Sequence, residues 1–251
     1  MKIETQAIDR AFEAFRTRYK RWDMDHHVDL WADAQRAFER DNVAGFVGVY
    51  NELRSHWQIG RGKGAKLAPA EDVFKLLASL PRSLRHARLT DQTASTAPDL
   101  LAVVTSLKGV KVAKSGVSIM AISKFLHFFN PRLFLIVDRA MIWDWALNHS
   151  WINDPIRALK AELRPRLAGA AGNGGNVGCD PLSYISILIW AGGVLRENPA
   201  IASGFASFLR SKCGSKPLPT DLETYDAVAM EWLLLGLVEL PPPGVVVDAT
   251  L

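Results

Sequence analysis

Apolar positions recur at helical spacing along nearly the whole chain. Val28, Trp31 and Phe38 stand at i, i+3 and i+10, with Gln35 the polar member of the same face. Val73, Leu76, Leu77 and Leu80 repeat the pattern until Pro81 stops it. Leu100, Val103, Val104 and Leu107 form a third face, with Asp99 placed to cap it and Gly109 to end it. Ile142, Trp145 and Ala146 continue the spacing after Asp138, and Leu222, Tyr225, Ala229 and Trp232 give a late helix. The segment 182–195, LSYISILIWAGGVL, is apolar all round and reads as a buried core helix starting at Asp180-Pro181. The N-terminal MKIETQAIDRAFEAF is amphipathic. Only VVV at 245–247 looks like a strand. The expected fold class is all-α.

Two loops break the helical pattern. RGKGAKLAP (61–69) is rich in glycine and lysine. GAAGNGGNVG (169–178) superficially resembles a phosphate loop, but no hydrophobic strand precedes it and no GK[ST] follows. It reads as a flexible connector. The tail from Pro241 is a proline stop and a short further segment.

With 251 residues, 49% hydrophobic and 22% charged, the sequence describes a folded protein with ample core. One all-α domain spanning 1–251 is expected, with room for two lobes and the hairpin region at about 99–150. No apolar run approaches the roughly 20 residues that cross a bilayer. The N-terminus carries no signal-peptide core, so a cytoplasmic protein is expected. Cys179 and Cys213 are the two cysteines and form no CxxC. Zinc knuckles, disulfide frames and four-cysteine iron–sulfur clusters are thereby excluded. No metal or other cofactor is expected.

The charge is unevenly placed. Residues 54–137 hold thirteen Lys/Arg against four acids, Glu71, Asp72, Asp91 and Asp99, although the whole chain has a net charge of only +4. From Leu100 to Val137 stand Lys108, Lys111, Lys114, Lys124 and Arg132 with no acid among them. Such clustering is the electrostatic footprint of a phosphate-backbone binder, and a solvated basic face is the plainer alternative.

The densest chemistry lies at 116–145, GVSIMAISKFLHFFNPRLFLIVDRAMIWDW. Gly109-Val110 and Gly116-Val117 flank the end of one helix and the start of the next. Glycine there permits a tight helix–helix turn and lets a phosphate approach the N–H groups of the following helix. A hydrophobic run then delivers Asp138 to the mouth of a further helix, where an aspartate either caps the helix or acts as a catalytic carboxylate.

This stretch resembles the hairpin-and-aspartate core of the helix-hairpin-helix DNA glycosylase superfamily. There a hairpin of the type L-P-G-V-G-x-K opens a helix, and an aspartate in a V-D pair follows about 18 residues after the lysine. With Gly116-Val117-Ser118 as the G-V-G element, the lysine position falls on Met120, eighteen residues before Asp138 in a Val137-Asp138 pair. The alternative register on Gly109 spaces the two less well. The segment ISKFLHFFNPRLFLIVDRA is also similar to poorly characterised bacterial relatives of these enzymes. The likeness covers roughly 40 of the 251 residues.

The resemblance implies a monofunctional N-glycosylase. Methionine at position 120 cannot form the Schiff base that strand cleavage uses, and Asp138 would stabilise an oxocarbenium-like sugar and orient water. Lys124, one helical turn after Met120, is the second catalytic candidate. Lys108, Lys111, Lys114, Gly116, Ser118, Arg61, Lys63 and Lys66 are the expected contacts to double-stranded DNA. Trp143 and Trp57 are candidates to stack on an extruded base.

Two other clusters read as structure. His127 is expected to be a partly buried, hydrogen-bonded histidine. WDMDHHVDLWAD (22–33) reads as a solvated helix start with an acidic first turn rather than a metal site, because consecutive histidines on a helix point about 100° apart. The function expected from all this is excision of a damaged or modified base from DNA. The alternatives are a catalytically inactive DNA-binding or regulatory module on the same scaffold, or a helical protein-interaction protein.

Overall fold

The helix Asp226–Leu237 has no polar face beyond Asp226 and Glu231, so it can only be satisfied by burial on all sides, and all twelve of its residues are buried. The other helices are laid around it. The computed structural model describes residues 1–18, 24–56, 59, 66–113, 116–137, 142, 146–167, 177, 179–213, 218–240 and 245–246. Its helices are α1 (Thr5–Arg18), α2 (Met24–Glu39), α3 (Val43–Ser55), α4 (Ala70–Ala78), α5 (Ala97–Ser106), α6 (Ile119–Phe129), α7 (Ser150–Leu163), α8 (Pro181–Glu197), α9 (Ala200–Lys212) and α10 (Asp226–Leu237). The all-α expectation holds, with two very small sheets added.

The central helix packs most extensively on α1. Their backbones meet at Gly236, where a Cβ would fall 1.8 Å from the Ala11 carbonyl oxygen. Phe15 stacks on Trp232 with ring centroids 4.8 Å apart, and Phe205 meets the same indole edge-on at 5.4 Å. The apolar α8 lies between α7, α5 and α10. The α2 helix packs on both α3 and α6. Buried side chains from Ile3 to Leu237 form one contiguous cluster. No helix among the described residues is long and apolar enough to cross a membrane.

The helix starts differ from expectation in two places. Thr96, not Asp99, is the N-cap of α5, with Pro98 in the first turn beside Asp99. Leu222 lies in a separate 3-10 turn, Leu222–Thr224, because α10 begins only at Asp226. By contrast, Asp180 caps α8 as its sequence suggests, its carboxylate accepting from Ser183 N at 2.9 Å.

The connection between α5 and α6 differs most. A tight helix–helix turn was expected there. The chain instead makes a 3-10 turn (Leu107–Gly109) and then an antiparallel β-hairpin of β3 (Lys111–Ala113) and β4 (Gly116–Val117). A third strand, β2 (Lys66–Leu67), pairs on the other side of β3, with Lys66 opposite Val112 and Leu67 opposite Lys111. Val112 pairs with Val117 across the hairpin, and β-branched residues favour such pairing, which the helical reading of the segment overlooked. A second sheet joins β1 (Lys2–Ile3) to β5 (Val245–Val246), inside the one strand pattern visible in the sequence.

Candidate nucleic-acid interface

The three-stranded sheet brings together two basic segments that lie more than forty residues apart in sequence. Lys66 sits on β2 and is exposed, and Lys108, also exposed, lies in the 3-10 turn that leads into β3. Lys111 stands on β3 in register with Leu67, and Gly116 opens β4. Ser118 follows as the half-buried N-cap of α6, without a side-chain capping bond. One corner of the molecule thus joins the 66–67 and 108–118 segments at the start of α6. Arg61, Lys63, Lys114, Asp138, Trp57 and Trp143 lie outside the described residues.

Not every cation of the basic region belongs to this corner. The Arg88 guanidinium grips Asp226 through two bonds, of 3.0 and 2.6 Å, and Thr90 Oγ1 adds a third donor to the same carboxylate at 3.0 Å. Asp226 is buried, and its carboxylate pushes the Arg88 pKa further up. Arg132 pairs with Asp221, donates to Thr224 Oγ1 at 2.9 Å and lies over the Tyr225 ring at 5.4 Å. Both arginines clamp the 221–226 turn onto the chain around α6. They are structural, so counting charges in sequence overstates what is offered to a polyanion.

Behind the corner, α6 carries the residues that position the run toward Asp138. Asn130 ends the helix and holds the next turn. Its Nδ2 donates to the Leu84 and Ala87 carbonyls at 2.6 and 2.8 Å, and its Oδ1 accepts from Arg132 N at 2.9 Å. The backbone then passes through the core at 134–137 as neither helix nor strand, with all four side chains buried. Backbone polar groups in such a place must find partners, and side chains supply them.

His127 Nδ1 meets the Phe134 carbonyl at 2.8 Å, and the Tyr184 hydroxyl donates to the Leu135 carbonyl at 3.0 Å. Ile136 N–H donates to Glu231 Oε2 at 3.3 Å, and Val137 N–H to Ser123 Oγ at 3.1 Å. Three helices, α6, α8 and α10, thereby fix the four residues immediately preceding Asp138.

The protonation states follow from these contacts. Trp31 Nε1–H can only donate, and it points at His127 Nε2 from 3.1 Å. That nitrogen is therefore the acceptor, and Nδ1 carries the proton given to Phe134. Burial drives the His127 pKa down to about 4, against the opposing pull of the Phe134 carbonyl. Burial, followed by the proximity of Glu231, holds the Tyr184 phenol well above its ordinary value, so it remains a donor. His27, 2% exposed, is also pushed well below the usual histidine range, first by burial and then by His127, His26 and His56. His27 departs from the solvated start expected for 22–33, whereas Asp29 is exposed. His27 lies in the core against Trp31, Phe128 and Trp232 because it shares the buried face of α2 with Val28 and Trp31.

No protein-family model matches this chain, and neither the curated proteins nor the solved structures yield a match.

Of the two catalytic candidates, Lys124 is half-buried on α6, beside Ser123 and one turn beyond Met120. Met120 is itself 36% exposed, the one large hydrophobic side chain so exposed among the described residues. His127 proves fully buried rather than partly so. No group of three or more His, Cys, Asp or Glu side chains among the described residues is arranged to hold a metal ion. Sequence reasoning missed Ser123, Asn130, Tyr184 and Glu231. The signal was present: Ser123 and His127 are polar residues four apart on a helix whose only other polar side chain is Lys124, and Glu231 interrupts DAVAMEWLLLGL.

Proposed function

We propose that this protein binds double-stranded DNA at the corner formed by β2, β3 and the start of α6, and hydrolyses the N-glycosidic bond of a damaged or modified base. The observation that carries the reading is the anchoring of 134–137. Four side chains from three helices hold the backbone that leads to Asp138. A carboxylate acting on a developing positive charge must be held in place before the reaction, and a rigid approach of this kind meets that need. Lys66 and Lys108 contribute phosphate contacts at the same end of α6, and Asp138 supplies the stabilising charge. Met120, in place of a lysine, leaves the reaction without a covalent imine and makes the enzyme monofunctional.

Binding to a modified duplex across a salt series tests this reading together with base release. The wild type and Asp138→Asn are expected to bind with equal affinity and equal salt dependence, while only the wild type releases base. Salt-sensitive binding without release by either chain would identify a non-catalytic DNA module. Binding by neither would point to a protein-interaction role.

A further inference from the structure

We infer that Ser123 and Glu231 are positioning residues for Asp138, acting through the backbone rather than on the substrate. The inference rests on the proposed glycosylase reading. The two N–H groups nearest Asp138 on its N-terminal side, those of Ile136 and Val137, are received by Glu231 Oε2 at 3.3 Å and Ser123 Oγ at 3.1 Å. These acceptors come from different helices, α10 and α6, and approach consecutive residues of one chain. Both are buried, Ser123 completely and Glu231 at 3% exposure. Ser123 makes a second contact with the same residue, its hydroxyl facing the Val137 carbonyl at 3.4 Å, and a third with the Met120 carbonyl at 3.3 Å.

The Ser123 hydroxyl thus ties the first turns of α6, the part next to the basic corner, to the last residue before Asp138. Val137 is bonded to Asp138, so a displacement of Val137 shifts the backbone from which Asp138 departs while leaving Lys66 on β2 and Lys108 in the 3-10 turn in place. Misplacing a reacting group costs turnover far more than it costs affinity. Neither residue touches DNA in this account, so their removal should separate kcat from KM.

The test uses single- and multiple-turnover base release by the full chain on the duplex that the wild type processes best, with thermal melting in parallel. Ser123→Ala removes one oxygen. It is expected to lower kcat on the order of ten- to a hundred-fold, with KM and duplex affinity within about twofold of wild type. Glu231→Gln keeps an acceptor for Ile136 N–H and should retain most of the turnover, whereas Glu231→Leu should lose it as Ser123→Ala does. Wild-type kcat in both Ser123→Ala and Glu231→Leu would overturn the inference while leaving the glycosylase reading intact. So would parallel losses of kcat and affinity. A Ser123→Ala chain that no longer melts cooperatively would assign that residue to folding alone. The contrast between Glu231→Gln and Glu231→Leu then decides by the same kcat criterion. No release by the wild type on any duplex overturns the reading and this inference together.

Discussion

Trp31 Nε1 donates to His127 Nε2 across 3.1 Å, and that contact fixes which imidazole nitrogen carries the proton given to Phe134. A protonated imidazole would place two N–H groups face to face, so acid must work against the fold here. The folded pKa of about 4 lies below the ordinary 6.5, and the unfolded chain therefore binds the proton first. Stability is complete above about pH 6.5, falls as pH drops toward 4, and stops falling on this account below that. The loss across that window is roughly 3 kcal/mol from His127, and His27 adds to it in the same direction. Urea midpoints between pH 7 and pH 4 should show this slope, and His127→Gln should flatten it. An unchanged slope in that variant would place the titration elsewhere.

The close approach of α10 to α1 gives a second prediction. A methyl at Gly236 would meet the Ala11 carbonyl oxygen at 1.8 Å, which is backbone and cannot rotate away. Gly236→Ala should destabilise by about 3 kcal/mol or more. Gly48, inside α3, has nothing within 4 Å of the same position. Gly48→Ala should therefore stabilise by roughly 0.5–1 kcal/mol, through helix propensity and reduced unfolded-state freedom. Chemical denaturation of the two variants side by side reads both signs. Equal effects would mean that α1 can shift away from α10.

The Arg88–Asp226 pair carries a third. Arg88→Ala leaves the buried carboxylate to Thr90, whose hydroxyl donates at 3.0 Å and whose backbone N–H donates at 3.4 Å. Loss of one partner of a buried pair costs about 3–5 kcal/mol, and the partial exposure of the arginine places the expectation near 2–3 kcal/mol. The denaturation midpoint should fall at both low and high salt. A loss seen only at low salt would describe a surface pair instead.

The basic corner gives a fourth prediction, a contrast between cations. Lys66→Ala and Lys108→Ala should each weaken duplex binding and reduce the salt slope by about one, with melting temperature unchanged. Arg132→Ala should do the reverse, lowering stability because its ion pair with Asp221 and its bond to Thr224 are lost. Equal salt slopes in all three variants would separate DNA binding from this corner.

Helical periodicity carried most of the fold: the spacing of Val73, Leu77 and Leu80, or of Val28 and Trp31, states which face is buried. It failed between α5 and α6, because a hairpin as short as 111–117 has too few residues to show an alternating pattern, and its third strand comes from forty-four residues earlier at Leu67. Lys66 and Lys108 were visible as charges, but only pairing across the sheet shows that they belong to one corner. Arg88 and Arg132 looked the same in sequence and prove to be structural, since their acidic partners lie 138 and 89 residues away. The partners of the 134–137 backbone were illegible for the same reason. Tyr184 and Glu231 reach it from helices that no local pattern connects to it.

The most direct measurement is base release from a panel of duplexes, each carrying one lesion or modified base, by the wild type and by Asp138→Asn. Each reaction is analysed with and without alkali, so that abasic sites appear as strand breaks only after treatment. Release of one class of base by the wild type, alkali-dependent cleavage and loss of both in Asp138→Asn are the predicted result. Strand cleavage without alkali, or release undiminished in Asp138→Asn, would contradict the account.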